Sequence, residues 1–99
     1  MKFFEFCQNN SGGYWEKGFP GSVIIEAQDH LHANKLAEAK GIYFNGCEIE
    51  RDCSCCGDRW SEVWERDGYD VPSHYREPLD EDDKGIVVYY INGEVKKYE

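Results

Sequence analysis

The chain has one segment with helical periodicity, and this segment limits the folds open to it. Residues 30–40 lie between Asp29, a residue type typical of a helix N-cap, and Gly41, a residue type that ends helices in the left-handed conformation. The apolar positions recur at helical spacing and are Ala33, Leu36 and Ala37. A helix with one narrow apolar face needs a sheet against which to bury it.

The rest of the chain supplies the strand patterns for such a sheet. The segment 2–7 alternates, with Phe4 and Phe6 on one face and Phe3 and Glu5 on the other. The segment 22–27 is rich in β-branched residues, which favour strands. Strands are predicted at residues 2–7, 14–16, 22–27, 42–44, 59–65, 86–91 and 94–98. We therefore predict an α+β fold, with an antiparallel-rich sheet of four to six strands and one helix packed on one face.

Length indicates a single domain over residues 1–99, because 99 residues leave no room for a second one. Residues 66–85 contain two prolines and an acidic run at 80–83, and we predict a long loop there. Residues 86–98 read as a terminal hairpin around Asn92–Gly93, a dipeptide typical of type I′ turns.

Charge and hydropathy exclude several classes of partner. The net charge of −9 repels phosphate backbones, so nucleic-acid binding is not expected. No apolar run approaches the roughly 20 residues that cross a bilayer, and the apolar start of the chain is too short for a secretory signal. We therefore expect a cytoplasmic protein. Fifteen aromatic side chains exceed what so small a core hides, which predicts a homo-oligomer.

A cysteine cluster indicates a structural zinc site. Cys53 and Cys56 have the spacing of a zinc knuckle and are followed by Gly57, and Cys47 is a candidate third ligand. The fourth ligand is open among the other cysteines and the histidines, because no second Cys-x-x-Cys pair is present. The alternative is that these cysteines are small buried hydrophobes in a tight turn.

The residue types give little support for catalysis. His30 and His32 are spaced so that they face different sides of the predicted helix, and His74 lies in the predicted loop. The acidic run at 80–83 lacks the spaced oxygen ligands and central glycine of a calcium loop. We therefore predict a protein that is not an enzyme.

Two binding functions are consistent with the sequence. In the first, a polar loop offers amide donors, an arginine offers a planar donor for phosphate and a tryptophan stacks a base. The predicted site for such a small ligand consists of Asn9, Asn10, Ser11, Gly12, Arg59 and Trp60. The alternative is that the Asn and Gly residues form a turn, Trp60 fills the core and Arg59 pairs with Asp58 or another acidic residue. In the second, an acidic surface bearing aromatic side chains inhibits a basic protein, which the net charge favours. A structural or adaptor module built on the zinc knuckle is a further alternative.

Four stretches together carry a resemblance to a known group of proteins. They are QNNSGG at residues 8–13, the strand at residues 23–27 with its helix, GIYFNG at residues 41–46 and DCSCCGDRW at residues 52–60, and they resemble those of small, uncharacterised accessory proteins of tailed bacteriophages. The similarity covers roughly residues 3–72 and departs at Cys7, where a polar residue is expected, and at Ser54, where proline is expected. The resemblance implies a protein made in the host cytoplasm that acts by binding, with counter-defence by sequestering a nucleotide-type signalling ligand, or inhibition of a host protein, as its role. It carries over no catalytic residue.

Overall fold

The computed structural model describes residues 1–9, 20–50 and 57–98. The elements in chain order are β1 (Lys2–Cys7), β2 (Ser22–Ala27), α1 (His30–Ala39), a 3-10 turn (Glu65–Asp67), β3 (Gly68–Tyr69), β4 (Ser73–His74), β5 (Glu77–Pro78), β6 (Ile86–Tyr89) and β7 (Val95–Tyr98). Five strands form one sheet in the order β3-β1-β2-β6-β7, and β4 and β5 form a second. The α+β fold with one helix and a small, mostly antiparallel sheet is confirmed.

The centre of the large sheet is β2, which pairs antiparallel with β1 and parallel with β6. The sequence predicted β1 and β2 with the bounds they have in the structure. Five of the six β2 residues are buried, because both edges of the strand are paired and both of its faces are covered. This explains why β2 reads as a continuous β-branched run rather than as an alternating one.

The predicted helix and its two end signals are confirmed. A carboxylate oxygen of Asp29 accepts a hydrogen bond from the backbone amide of His32 at 2.8 Å. At the other end, Gly41 has a φ of +100°. The amides of Gly41 and Ile42 donate to carbonyls of the last helical turn at 3.0 and 3.1 Å, which is the Schellman arrangement.

Two apolar clusters cover the two faces of the sheet. The helix-side cluster consists of Phe4, Phe6, Val23, Ile25, Ala27, Ala33, Ala37, Ile42, Trp60, Val63 and Val87. The cluster on the opposite face is smaller and consists of Phe3, Ile24, Ile86 and Val88. The alternation predicted for β1 is thus confirmed, with Phe4 and Phe6 facing the helix and Phe3 facing away.

Two predicted strands are wrong. Residues 42–44 and 59–64 all lie in the described part of the chain, and none of them belongs to a strand. Ile42 completes the helix C-terminal motif, and Asn45 then turns the backbone with a φ of +58°. The strand that pairs parallel with β2 is β6, which lies much later in the sequence.

The backbone of Val63 is paired with a side chain instead of a strand. The Asn34 side-chain amide donates to the Val63 carbonyl at 3.1 Å, and its oxygen accepts from the Val63 amide at 2.9 Å. Trp60 and Val63 are both buried, so the burial period here is three and not two. An alternating pattern in the sequence was misleading because a helix side chain took the place of a neighbouring strand.

The segment 66–85 contains structure where a loop was predicted. It carries β3, which pairs with β1, and the β4–β5 hairpin. The two residues joining that hairpin, Tyr75 and Arg76, have φ values of +49° and +73°, as a type I′ turn requires.

The terminal hairpin is confirmed by the antiparallel β6–β7 pair, but its turn differs from the prediction. The Gly93 amide donates to the Tyr90 carbonyl, and the positive φ lies on Gly93, so the turn spans Tyr90–Gly93. The predicted strand at 14–16 lies outside the described residues.

Candidate functional site

The predicted ligand site is brought together in part. The Asn9 amide donates to the Arg59 carbonyl at 2.7 Å, and the Asn9 side chain donates to the Asp58 carbonyl at 3.1 Å. The end of β1 therefore lies beside Asp58 and Arg59. Asn10, Ser11 and Gly12 lie outside the described residues.

Arg59 and Trp60 are inside the protein, which contradicts their expected exposure. Arg59 is 4% exposed, and its guanidinium donates to the Tyr43 hydroxyl at 3.2 Å and to the Gln8 side-chain oxygen at 3.1 Å. Trp60 is 0% exposed and belongs to the helix-side cluster. In this structure the guanidinium holds the end of β1 and the indole fills the core, so neither offers a surface to a ligand.

The predicted zinc ligands are described only in part. Cys53 and Cys56 lie outside the described residues. Cys47 is half-buried, and its backbone amide donates to the Asp58 carboxylate at 2.9 Å. A zinc ion at this cluster stays a prediction.

A different tryptophan, Trp64, is presented at the surface. Its side chain is 53% exposed, although the preceding residue, Val63, is buried and held by Asn34. On its other side, the Trp64 amide donates to the Asp67 carboxylate at 2.7 Å, and the Asp67 amide donates to the Trp64 carbonyl at 2.9 Å. The backbone is thus fixed on both sides of an exposed indole.

Charged side chains of both signs lie near this indole. We name the Trp64 surface by its four exposed residues, which are Glu62, Trp64, Glu65 and Arg66. Trp64 lines a cavity of about 450 Å³ together with His30, Glu65 and Arg66. It also lines a second cavity of about 210 Å³, together with residues that include Asp58 and Glu62. The indole therefore borders two open depressions, each of which is also lined by at least one carboxylate.

A second cluster of polar side chains lies on the sheet face opposite the helix, where β1 ends. Glu5, Cys7 and His74 each offer one ligand-type atom, and these atoms all lie within 4.8 Å of one another. One Glu5 carboxylate oxygen contacts His74 Nδ1 and accepts from the Ser22 hydroxyl at 2.5 Å. The other accepts from the Tyr75 backbone amide at 3.2 Å. Glu5 thus joins β1, β2 and the β4–β5 hairpin.

The Cys7 thiol is strongly disfavoured as a free thiolate. Burial raises the pKa of Cys7 to about 12, and the negative charge of Glu5 adds to this rise. The contact with the Ser22 hydroxyl, whose oxygen lies 3.9 Å from the Cys7 sulfur, acts in the opposite direction and lowers the pKa. A cysteine nucleophile needs a lowered pKa, so this environment does not prepare Cys7 for nucleophilic catalysis.

Two cavities reach this cluster from the surface. One of about 370 Å³ is lined in part by Glu5, Cys7, Tyr75 and Arg76. The other, of about 490 Å³, is lined in part by Cys7, His74 and Tyr75. Tyr75, which is 73% exposed and whose ring lies 4.1 Å from that of His74 between centroids, borders both. Solvent and small ligands can therefore approach the cluster.

The sequence held only weak signals for this cluster. Cys7 stood out as a departure from the phage-protein motif, and Glu5 stood out as a carboxylate in an apolar strand. His74 is far from both in sequence. Its contact with Glu5 depends on the turn at Tyr75 and Arg76, and these two residue types do not predict a type I′ turn.

Comparison with known proteins places the chain in a family. Residues 1–99 match the family described as "Domain of unknown function (DUF7296)", and the chain belongs to it. No curated protein and no solved structure matches the chain. Within the described residues, no helix is long and apolar enough to cross a membrane.

Proposed function

We propose that this protein is not an enzyme and acts by binding stoichiometrically to a basic protein, using the Trp64 surface. The observation that carries the proposal is an indole that is 53% exposed on a backbone fixed from both sides. Tryptophan is the residue type most enriched at energetic centres of protein interfaces. A fixed backbone reduces the entropy lost when the indole is held by a partner.

The chemistry around the indole selects the partner. A lysine or arginine placed over the face of a tryptophan is attracted by its π electrons. Glu62 and Glu65 lie beside Trp64 and would accept hydrogen bonds from the same cation. The net charge of −9 would speed encounter with a positive surface. A basic protein patch with a protruding arginine or lysine therefore fits this surface best.

Sequestration of a nucleotide-type ligand is the weaker candidate. Its argument needed the guanidinium of Arg59 and the indole of Trp60 at the surface, and both are buried. Inhibition of a host protein instead needs only an exposed acidic surface with an aromatic anchor. The proposed setting, the cytoplasm of a bacterium infected by a tailed phage, rests on the motif resemblance, and so does the proposed role in counter-defence.

Affinity purification with matched variants tests the proposal. Tagged full-length protein is purified from bacterial cells, and the bound proteins and small molecules are identified by mass spectrometry. The captured protein is then purified, and its affinity is measured at several salt concentrations. We expect a basic partner whose affinity falls as salt rises, and Trp64→Ala should weaken binding at least about 30-fold, the effect of losing about 2 kcal/mol at an interface centre.

Val95→Ala is the matched control, because Val95 is an exposed apolar residue on β7, at the opposite edge of the sheet from β3, which follows the Trp64 surface in the chain. It should leave the affinity within about twofold. Equal loss in both variants, or a partner that binds Trp64→Ala as well as the natural protein, would overturn the proposal. Co-purification of a nucleotide would favour the small-ligand candidate. Equilibrium sedimentation separately tests the predicted homo-oligomer.

A further inference from the structure

We propose that Glu5, Cys7 and His74 form a zinc site, distinct from the Cys53 and Cys56 pair. The three side chains offer a carboxylate oxygen, a thiol sulfur and an imidazole nitrogen within 4.8 Å of one another. These are the three ligand types that zinc takes in proteins, at about 2.0–2.3 Å from the ion. Zinc would replace the direct contact between Glu5 and His74 Nδ1, and these two groups would separate slightly to admit the ion.

The fold provides each ligand by an ordinary structural rule. Glu5 and Cys7 are two residues apart on β1, so their side chains lie on the same face of the sheet. His74 is the last residue of β4, directly before the hairpin turn. The β1–β4 contact that brings it to Glu5 is long-range, so no local motif in the sequence signals the site.

Outer contacts fix the orientation of the carboxylate. Ser22 is the register partner of Cys7 on β2, and its hydroxyl donates to Glu5. The Tyr75 amide donates to the other Glu5 oxygen at 3.2 Å. Metal ligands in proteins are typically held in this way by a second layer of hydrogen bonds.

The ligand set favours zinc over the harder cations. Calcium and magnesium prefer sites made only of oxygen ligands, whereas imidazole and thiolate favour zinc and similar metals. When zinc binds, the Cys7 proton leaves to solvent and the sulfur bonds to the metal. Three protein ligands leave a fourth position for water or an anionic group, and the two cavities at the cluster provide access.

A structural need supports the proposal. The β4–β5 hairpin has only two residues in each strand, and such a small sheet is unstable alone. Its turn places Tyr75 and Arg76 at positive φ, which is unfavourable for large side chains. A metal held by β1 and by His74 would link this hairpin to the large sheet.

Cobalt spectroscopy in a full-length variant tests the site. Cys53→Ser/Cys56→Ser removes the other predicted metal pair, and Co²⁺ is then added under reducing conditions. We expect a sulfur-to-cobalt charge-transfer band and one tightly bound ion per chain. Adding Cys7→Ser should abolish the band and weaken metal binding at least about 100-fold, and His74→Asn should weaken binding similarly. Ser22→Ala should weaken it about tenfold, as expected for an outer contact.

Cys47→Ser in the same background is the matched control, because Cys47 is also half-buried but far from the cluster in sequence. It should keep the band. If the band is absent before Cys7 is changed, or persists after Cys7→Ser, the proposal is wrong.

If Cys53→Ser/Cys56→Ser does not fold, the natural chain provides the second measurement. Zinc should slow trypsin cleavage after Arg76 in the natural protein and in Cys47→Ser, and should have no such effect in Cys7→Ser. Equal protection by zinc in Cys7→Ser would overturn the proposal.

Discussion

The two faces of the large sheet are stabilised in different ways. On one face, α1 and Trp60 cover a continuous apolar cluster. The other face carries a smaller apolar cluster. At the end of β1 this face instead carries the polar side chains of Glu5, Cys7 and Ser22, and Glu5 contacts the β4–β5 hairpin. From this difference we expect the helix side to unfold as one cooperative unit, and the hairpin, which polar contacts attach to the opposite side, to open separately.

Trp60→Ala should give the largest effect. Among the residues that the structure describes, Trp60 is the largest fully buried side chain, and removing it leaves a cavity in the helix-side cluster. We expect the free energy of unfolding to fall by about 3–5 kcal/mol, measured by urea denaturation. Trp64→Ala removes a surface indole and should change it by about 0.5 kcal/mol or less. If the two variants lost the same free energy of unfolding, the stability of the core would not depend on Trp60.

Arg59→Met should give the next largest effect. The variant keeps the length of the side chain but removes the guanidinium that donates to Gln8 and Tyr43 inside the protein. We expect a loss of about 3 kcal/mol, the upper range for hydrogen bonds to a charged group. Lys35→Met, at an exposed position of α1, is the control. A stable Arg59→Met protein would restore Arg59 as a candidate for ligand binding.

Asn34→Leu should destabilise the protein by about 2 kcal/mol, because it leaves the buried amide and carbonyl of Val63 without the Asn34 side chain. Thermal denaturation measures this effect. Asn34→Leu also tests the Trp64 surface, because the backbone directly before Trp64 loses the two hydrogen bonds with Asn34 that hold it. Unchanged stability would show that Val63 finds other partners.

Glu5→Gln should act locally on the opposite face. In metal-free protein containing a chelator, the charged contact between Glu5 and His74 is lost, and the β4–β5 hairpin opens more often. We expect trypsin to cleave after Arg76 about tenfold faster, the effect of losing about 1.4 kcal/mol of a charged hydrogen bond. The urea midpoint should move less than in Asn34→Leu. A large global loss instead would show that both faces unfold as one unit.

Asp70→Asn should give the smallest effect. The Lys2 ammonium lowers the pKa of Asp70, but the pair is exposed to solvent, where ion pairs contribute little. The folded protein favours the charged carboxylate, so any stabilisation is present at neutral pH and is lost as the pH falls below 3.8, the usual aspartate value. We expect no measurable change in the thermal midpoint at pH 7. A clear drop there would show that this pair supports the edge of the sheet.

The sequence predicted the elements whose signals are local. The bounds of β1 and β2 follow from their own side-chain patterns, and α1 is marked by Asp29 and Gly41. The segment after Gly57 was misread because the partner of Val63 is the side chain of Asn34, which no local pattern reveals.

The candidate sites were harder to predict for the same physical reason. Alternation correctly placed Glu5 away from the helix, but its contact with His74 depends on how residues 66–85 fold. Arg59 was expected at the surface because arginine is seldom buried. The burial of Arg59 depends on its contacts with Tyr43 and Gln8, which are distant from it in sequence.

The parallel pairing of β2 with β6 has a consequence for how the chain folds. Ser22 pairs with Ile86, so the hydrogen bonds between β2 and β6 form only after two segments separated by most of the chain have come together. Such distant pairings form slowly, because the entropy of closing the loop is lost before the contacts form. Until β6 arrives, one edge of β2 is open along Ser22–Ala27, a β-branched segment with one charged residue. An unpaired edge of this kind is a template for aggregation, so variants that delay β6 should aggregate during refolding even where the native state is little affected.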